Sequence, residues 1–357
     1  MATTTRTATT PDERHIDVVQ PSLPRTLVLG IFGMAMAAAV ASYFVFDENL
    51  FAPIAVGFLL YVIPIYVVSR VRESKRKATD RAWIAIVTLA FTIAILPLVS
   101  LIVTVILEGA ARFDADFFTS DMRGVVGEGG GALHAIVGTL MITLIATLIS
   151  VPVGIMCAVY LVEYGGKGWL ARWTTFLVDV MTGIPSIVAG LFAFALFAIL
   201  VGPGYRSGVM GAIALSVLMI PTVVRATEEM LKLVPNELRE ASYALGVQKW
   251  RTITKVVIPT ALAGIVTGVI LAVARVIGET APLLLTAGFT STINWNPFEG
   301  RMTALPVFAY YSYVTPGVPP EPGFERAWTA ALVLIIIVLG LNLIGRWVAV
   351  RFAPAKA

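Results

Sequence analysis

Eight stretches of this chain are apolar for longer than a soluble domain needs, and they decide what the rest can be. Crossing the hydrocarbon core of a bilayer takes about 20 mostly apolar residues in a helix. That template selects 26–46, 51–69, 82–107, 132–162, 184–201, 208–224, 260–288 and 327–350. Inside a bilayer each backbone polar group must be bonded within the protein, so such runs become helices. Composition points the same way: 58% of the 357 residues are hydrophobic and 13% charged, against about 25% charged in a soluble domain. The expected fold class is an all-α integral membrane protein with about eight transmembrane helices. The first apolar run is too long, and starts too late, to be a signal-peptide core.

Eight spans put both termini on one side, and basic residues choose that side. With the N-terminus cytoplasmic, twenty of the 26 Lys and Arg fall in inner segments, five in outer loops and one, Arg275, inside a span. Both termini are therefore expected in the cytoplasm of a multi-pass inner (plasma) membrane protein. The net charge of +4 reports this topology and the lipid around it, and gives no reason to expect nucleic acid. Residues 1–25, polar and without apolar periodicity, are expected to be a disordered cytoplasmic tail. Residues 26–81 are expected to form an accessory hairpin with a basic loop, and 82–357 a six-helix core. Pro152 and Gly154 offer a kink in the fourth span. Trp169, Arg172 and Trp173 suit a helix along the inner surface, ended by Gly183-Ile184-Pro185. The outer loop 289–326, rich in Pro and aromatic residues, is expected to cover a pore mouth or meet a docking protein.

Two polar features interrupt the apolar pattern. Within a cytoplasmic loop at 225–259, the stretch 236–259 reads as helix, bend, helix. Asn236 suits a helix cap, Gly246 a left-handed stop, and Pro259 the first turn of the next span. The other feature is Arg275 with Glu279, four residues apart in the seventh span. A guanidinium at that depth costs at least about 2.5–3.5 kcal/mol unless it meets a partner or a watery path. A salt bridge within the helix would meet that need. So would an anion held by the planar fork of Arg275, with Glu279 orienting it and limiting how tightly the anion is held.

Glu240-Ala241-Ser242, then Gly246, then Ile258-Pro259 resembles the EAA loop of ABC importer permeases, with departures at Ser242, Val256 and Ile258. The resemblance implies that Glu240, Ala241, Ser242, Gly246, Ile258 and Pro259 form the contact with an ATPase, with Glu240 bonding back to the loop or meeting a basic group on that partner. The run from Ala274-Arg275 through Gly278-Glu279-Thr280-Ala281-Pro282-Leu283-Leu284 resembles the signature of phosphate importer permeases of the Pst system, in its A-type form. Gly138-Thr139-Leu140, Val162-Glu163-Tyr164-Gly165 and the segment from Gly183 to Gly190 match as well. The resemblance, over about 130–351, implies a MetI-like permease core with Arg275 and Glu279 on the substrate path of an ATP-driven phosphate importer. It also implies four kinds of partner: a PstC-type sister permease, a PstB-type ATPase dimer, a PstS-type extracytoplasmic binding protein, and phosphate. The first two spans depart from the usual six-span pattern.

Other chemistries find little support. No Gly-rich turn ends in Gly-Lys-Ser/Thr, so ATP hydrolysis is expected in a separate subunit. His15 and His134 are too far apart for metal-ligand spacing, and His134 reads as a solvated helix end. Cys157, alone in an apolar helix, reads as packing. Gly129-Gly130-Gly131 reads as a hinge rather than an anion nest. No cofactor is expected, and no nucleophile, base and orienting group converge as in an enzyme. The rivals are a permease for another oxyanion, sulphate or molybdate, and a secondary anion carrier or channel.

Overall fold

The computed structural model describes residues 23–45, 51–166 and 168–352. All its regular elements are helical. By contact the chain forms two compact units, Met1–Leu101 and Ile102–Ala357. The division falls inside the third long helix, whereas the expected boundary at 81/82 lies within the first unit. Of the expected tail, 1–22 lie outside the described residues.

In the first unit, α1 (Arg25–Val45) packs on α2 (Phe51–Arg72), and α3 (Lys75–Gly109) begins three residues later. Leu23, within the expected tail, is instead buried with Ile31 and Ile65. The three helices meet at Glu73, whose side chain is 1% exposed. Its carboxylate accepts from Ser69 Oγ at 2.6 Å, from the Leu23 N–H at 2.7 Å, and from Arg81 Nε and Nη2 at 3.0 Å each. The paired Arg81 bonds hold its pKa down at about 2, against burial, which alone would raise it.

The second unit is built on α5 (Leu133–Val159) and α8 (Gly208–Lys232), which pack along their lengths. Close approach requires small residues: a Cβ on Gly154 would lie 2.7 Å from Val223. Pro152 does not break α5, which runs on to Val159 and ends in a π-helical turn at Tyr160–Tyr164. The helix α6 (Trp169–Thr182) meets α7 (Ser186–Leu200) at a bend of 110°. The expected fifth span is therefore short, 15 residues. Among the described residues seven helices are long and apolar enough to cross a membrane, or eight with the bent pair taken as one span.

Beyond α8 come α9 (Asn236–Ala244), α10 (Lys249–Thr252), a π-helical turn at Ile253–Val257, and α11 (Ile258–Ile277). From Lys249 to Ile277 the chain runs on as one helix. Pro259 thus enters a continuing helix instead of opening a new one, and the wide turn before it accommodates its ring and missing N–H. The helix stops at Gly278, and α12 (Ala281–Thr286) follows. The expected span 260–288 is therefore broken.

The outer stretch is folded into the core. There α13 (Leu305–Val314) packs on α5 and on α14 (Glu321–Phe352). Its Phe308 meets the edge of His134, which is 3% exposed. His134 is therefore buried rather than solvated, because α13 covers the start of α5. The triglycine is likewise packed: a Cβ on Gly131 would lie 2.6 Å from the Asp116 and Phe117 carbonyls. Arg112 donates to the Gly130 carbonyl, and Arg326 to those of Gly127 and Gly129. The segment is a cation-holding turn, not a hinge.

Candidate functional site

A cavity of 170 Å³ opens where three helices change direction or stop. The α6–α7 elbow contributes Met181, Thr182, Ile184 and Ser186, α8 contributes Leu218 and Thr222, and the end of α11 contributes Arg275, Val276 and Glu279. At 1.5 Å per residue, Thr222 lies about 21 Å from the start of α8 and about 15 Å from its end. The cavity is therefore near mid-depth of that helix, as the sequence expected for Arg275.

The break in α11 changes the relation of the two charges. Arg275 is in its last turn, but Glu279 lies past the end, its N–H bonded to the Val276 carbonyl at 3.1 Å. They no longer share a helix face, and the salt bridge that would explain both structurally does not form. Neither side chain has a hydrogen-bond or ion-pair partner among the described residues. An arginine in the span of a membrane protein with no protein partner requires water or an anion. Ser186, the first residue of α7, lines the same space, at the positive dipole end of that helix.

The residues that carried the family resemblance have visible packing reasons. A Cβ on Gly190 would lie 2.7 Å from Pro282 Cα, so this glycine lets α12 seat on α7 beside the break. One on Gly138 would lie 2.1 Å from the Thr303 carbonyl. Thr139 Oγ1 then accepts from the Leu305 N–H at 2.6 Å, fixing α13.

At the other end of α8 stands the loop that resembles the EAA motif. Asn236 is the first helical residue rather than the cap; Pro235 takes that place, and Asn236 Oδ1 accepts from Arg239. Gly246 has φ +74 and donates to the Tyr243 carbonyl at 2.9 Å, so the expected left-handed stop is present. Glu240 and Ala241 are exposed, and Glu240 makes no bond back to the loop among the described residues. Ser242 is buried, with Oγ 2.8 Å from Thr252 Oγ1, which clamps the two arms of the bend. Ile258 is half-buried and Pro259 exposed. Around them Leu233, Leu238, Tyr243, Leu245 and Trp250 stay exposed, Leu245 by 82%.

Sequence reading missed the residue that anchors this loop. Arg239 is 13% exposed and its partner Glu163 5%. Arg239 Nε and Nη2 reach Glu163 Oε1 at 3.1 and 2.8 Å. Other N–H groups of Arg239 donate to the carbonyls of Leu231, in the last turn of α8, and Val234, just past it, at 2.9 and 2.6 Å. Glu163 lies in the π-helical turn after α5, so one guanidinium joins α5, α8 and α9. Tyr164 adds a cation contact, 4.9 Å from Lys249 Nζ. Nearer the cavity, Arg225 pairs with Asp179 of α6 and with Glu228.

Residues 150–357 match the family model described as binding-protein-dependent transport system inner membrane component. The phosphate transport system permease protein PstA of Mycobacterium leprae is 48% identical over 272 residues, 75% of this chain and 86% of the relative. Its namesake in Pasteurella multocida is 39% identical over 282 residues, 79% and 97%. Among solved structures, the MetNI methionine ABC transporter in an inward-facing conformation matches with a TM-score of 0.51 at 20% identity, over 62% of this chain and 96% of that one. A bacterial alginate ABC transporter matches with a TM-score of 0.56 at 13% identity, over 79% and 99%. The structural likenesses bear on the fold, a MetI-like permease core, while the sequence relatives go further. By these matches, the chain belongs to the binding-protein-dependent inner membrane transport components, in the PstA family of phosphate transport permeases.

Proposed function

We propose that this chain forms half of the translocation path of an ATP-driven phosphate importer, in which Arg275 holds the phosphate in transit and Glu279 keeps that hold weak. The observation that carries the reading is Arg275, without a partner among the described residues, beside Glu279 in a cavity that the motif residues Ile184 and Ser186 also line. A guanidinium fork matches a tetrahedral oxyanion, and a nearby carboxylate moderates binding so that the ion can leave. The other half of the path is a PstC-type sister permease. The exposed bend at Glu240, Ala241 and Gly246 docks on a PstB-type ATPase dimer, and a PstS-type binding protein delivers phosphate from outside. The chain sits in the bacterial inner membrane with both termini in the cytoplasm, the arrangement favoured by its basic residues.

Arg275→Lys keeps the charge and loses the paired N–H contacts. Phosphate uptake by the complex in proteoliposomes is expected to fall at least about tenfold while the complex still assembles. Glu279→Gln is expected to slow release, with uptake reduced. Wild-type uptake in Arg275→Lys would remove the anion role. Competition by sulphate and molybdate in the same assay separates phosphate from other oxyanions.

A further inference from the structure

Two more arginines meet at the far end of the segment that begins with Glu279. Arg206 lies in the turn just before α8, and Arg301 in the turn before α13. These turns are pinned together: the Val209 N–H donates to the Pro297 carbonyl at 2.8 Å, and the Tyr205 hydroxyl donates to that of Phe298. Asn294 Nδ2 donates to the Arg301 carbonyl at 3.1 Å, and the Met302 N–H to that of Ala287 at 3.1 Å. The last bond sets Arg301 beside Gly288, a residue with φ +73. A Cβ on Gly288 would lie 3.3 Å from Arg206 Cδ, 3.4 Å from Arg206 Nη1 and 3.4 Å from Arg301 Cδ. The two arginine stems therefore flank one point, where the chain carries no side chain of its own.

Neither guanidinium has a hydrogen-bond or ion-pair partner among the described residues, and Glu299, the nearest acid in the sequence, forms no ion pair either. Arg112 and Arg326 differ: Arg112 pairs with Asp114, and Arg326 is held by backbone carbonyls. Two cations on stems that converge on one point repel, and an anion between them relieves that repulsion. Two planar forks with a glycine at their base suit the oxygens of a phosphate group. Only the six residues of α12 and Ala287 lie between Thr280, next to Glu279, and Gly288. Along α8 the distance from Gly208 to the cavity at Thr222 is about 21 Å.

We propose that Arg206 and Arg301 form an outer phosphate-binding site that receives inorganic phosphate before it reaches Arg275. The proposal rests on the reading of Arg275 given above for its place in the path, but its binding chemistry stands apart from it. Arg206 is half-buried and Arg301 exposed, so the site is wet and its hold moderate, as a relay requires.

The test is equilibrium binding of radiolabelled inorganic phosphate to the assembled transporter in nanodiscs of phosphatidylcholine, with ATPase retention as the check on assembly. In an Arg275→Gln background a binding component is expected to remain, and adding Arg206→Gln and Arg301→Gln is expected to weaken it at least tenfold. Arg206→Lys with Arg301→Lys keeps the charge and is expected to weaken it less, by a few-fold. Unchanged binding in both sets overturns the proposal. So does a pair of arginines that retains co-purified anionic phospholipid but no inorganic phosphate, which would make the site a lipid-headgroup contact. Wild-type uptake in Arg275→Gln alone would sink the Arg275 reading and leave this binding measurement intact.

Discussion

Arg239 and Glu163 form a demanding contact where α5, α8 and α9 meet, because both side chains are nearly covered and each depends on the other. Removing one partner of a buried pair leaves a charge without compensation, at a cost of about 3–5 kcal/mol. Here that cost falls on the seat of α9, since the same guanidinium caps the end of α8. We expect Glu163→Ala to detach the coupling helix from α5 without unfolding the spans. ATP hydrolysis would then continue while phosphate moved per ATP fell several-fold. The double variant Arg239→Ala/Glu163→Ala should show a coupling energy of about 2–3 kcal/mol in thermal unfolding of the purified complex. Unchanged uptake per ATP in Glu163→Ala would reduce the pair to local packing. Nothing in the sequence pointed to this contact: the residues are 76 apart, and Glu163 had stood out only through a motif resemblance with no role attached.

At the scale of elements, the bend between α9 and α10 depends on one backbone conformation. A Cβ on Gly246 would meet nothing within 4 Å, so space is not the constraint; φ +74 is. A β-branched residue in that region costs roughly 1–2 kcal/mol or more, whereas asparagine enters it readily. Gly246→Val is therefore expected to insert and pair with its sister permease but to retain the ATPase poorly and lose phosphate-stimulated hydrolysis. Gly246→Asn should keep both. Co-purification and hydrolysis in proteoliposomes distinguish the pair of variants, and normal behaviour of Gly246→Val would show that force passes elsewhere. Gly246 was legible because a glycine after a short amphipathic helix has few other uses. The spans were legible from apolar length alone. What hydropathy hid was the break after Ile277: Gly278 to Thr280 interrupts the helix without interrupting the apolar run, and the run 260–288 therefore read as one span. The burial of His134 was hidden in the same way, since α13 reaches it from the stretch 289–326, whose Pro and aromatic residues read as an outer loop.

For the whole molecule, the position of the working residues is uneven. The cavity at Arg275, the Arg239 seat, the bend at Gly246 and the outer arginines all belong to the unit Ile102–Ala357, and the family match begins at residue 150. The first unit has its own ties, centred on Glu73 and Arg81, and none of its described residues lines the cavity. On the function proposed above, the helices α1 and α2 would be an addition to a core that carries the transport chemistry. Deleting residues 2–74 leaves Lys75, Arg76, Lys77 and Arg81 ahead of the apolar part of α3. Those four charges keep its start in the cytoplasm, and removing two spans preserves the orientation of the rest. The shortened protein is expected to insert, to assemble, and to take up phosphate within about twofold of the full chain, since a unit with its own core folds without its neighbour. Its tolerance to detergent is expected to fall if α1 and α2 shield the start of α3. Uptake in proteoliposomes, normalised to assembled complex, is the measurement. A complex that assembles normally, hydrolyses ATP with normal phosphate stimulation and yet moves no phosphate would place the N-terminal hairpin on the path itself.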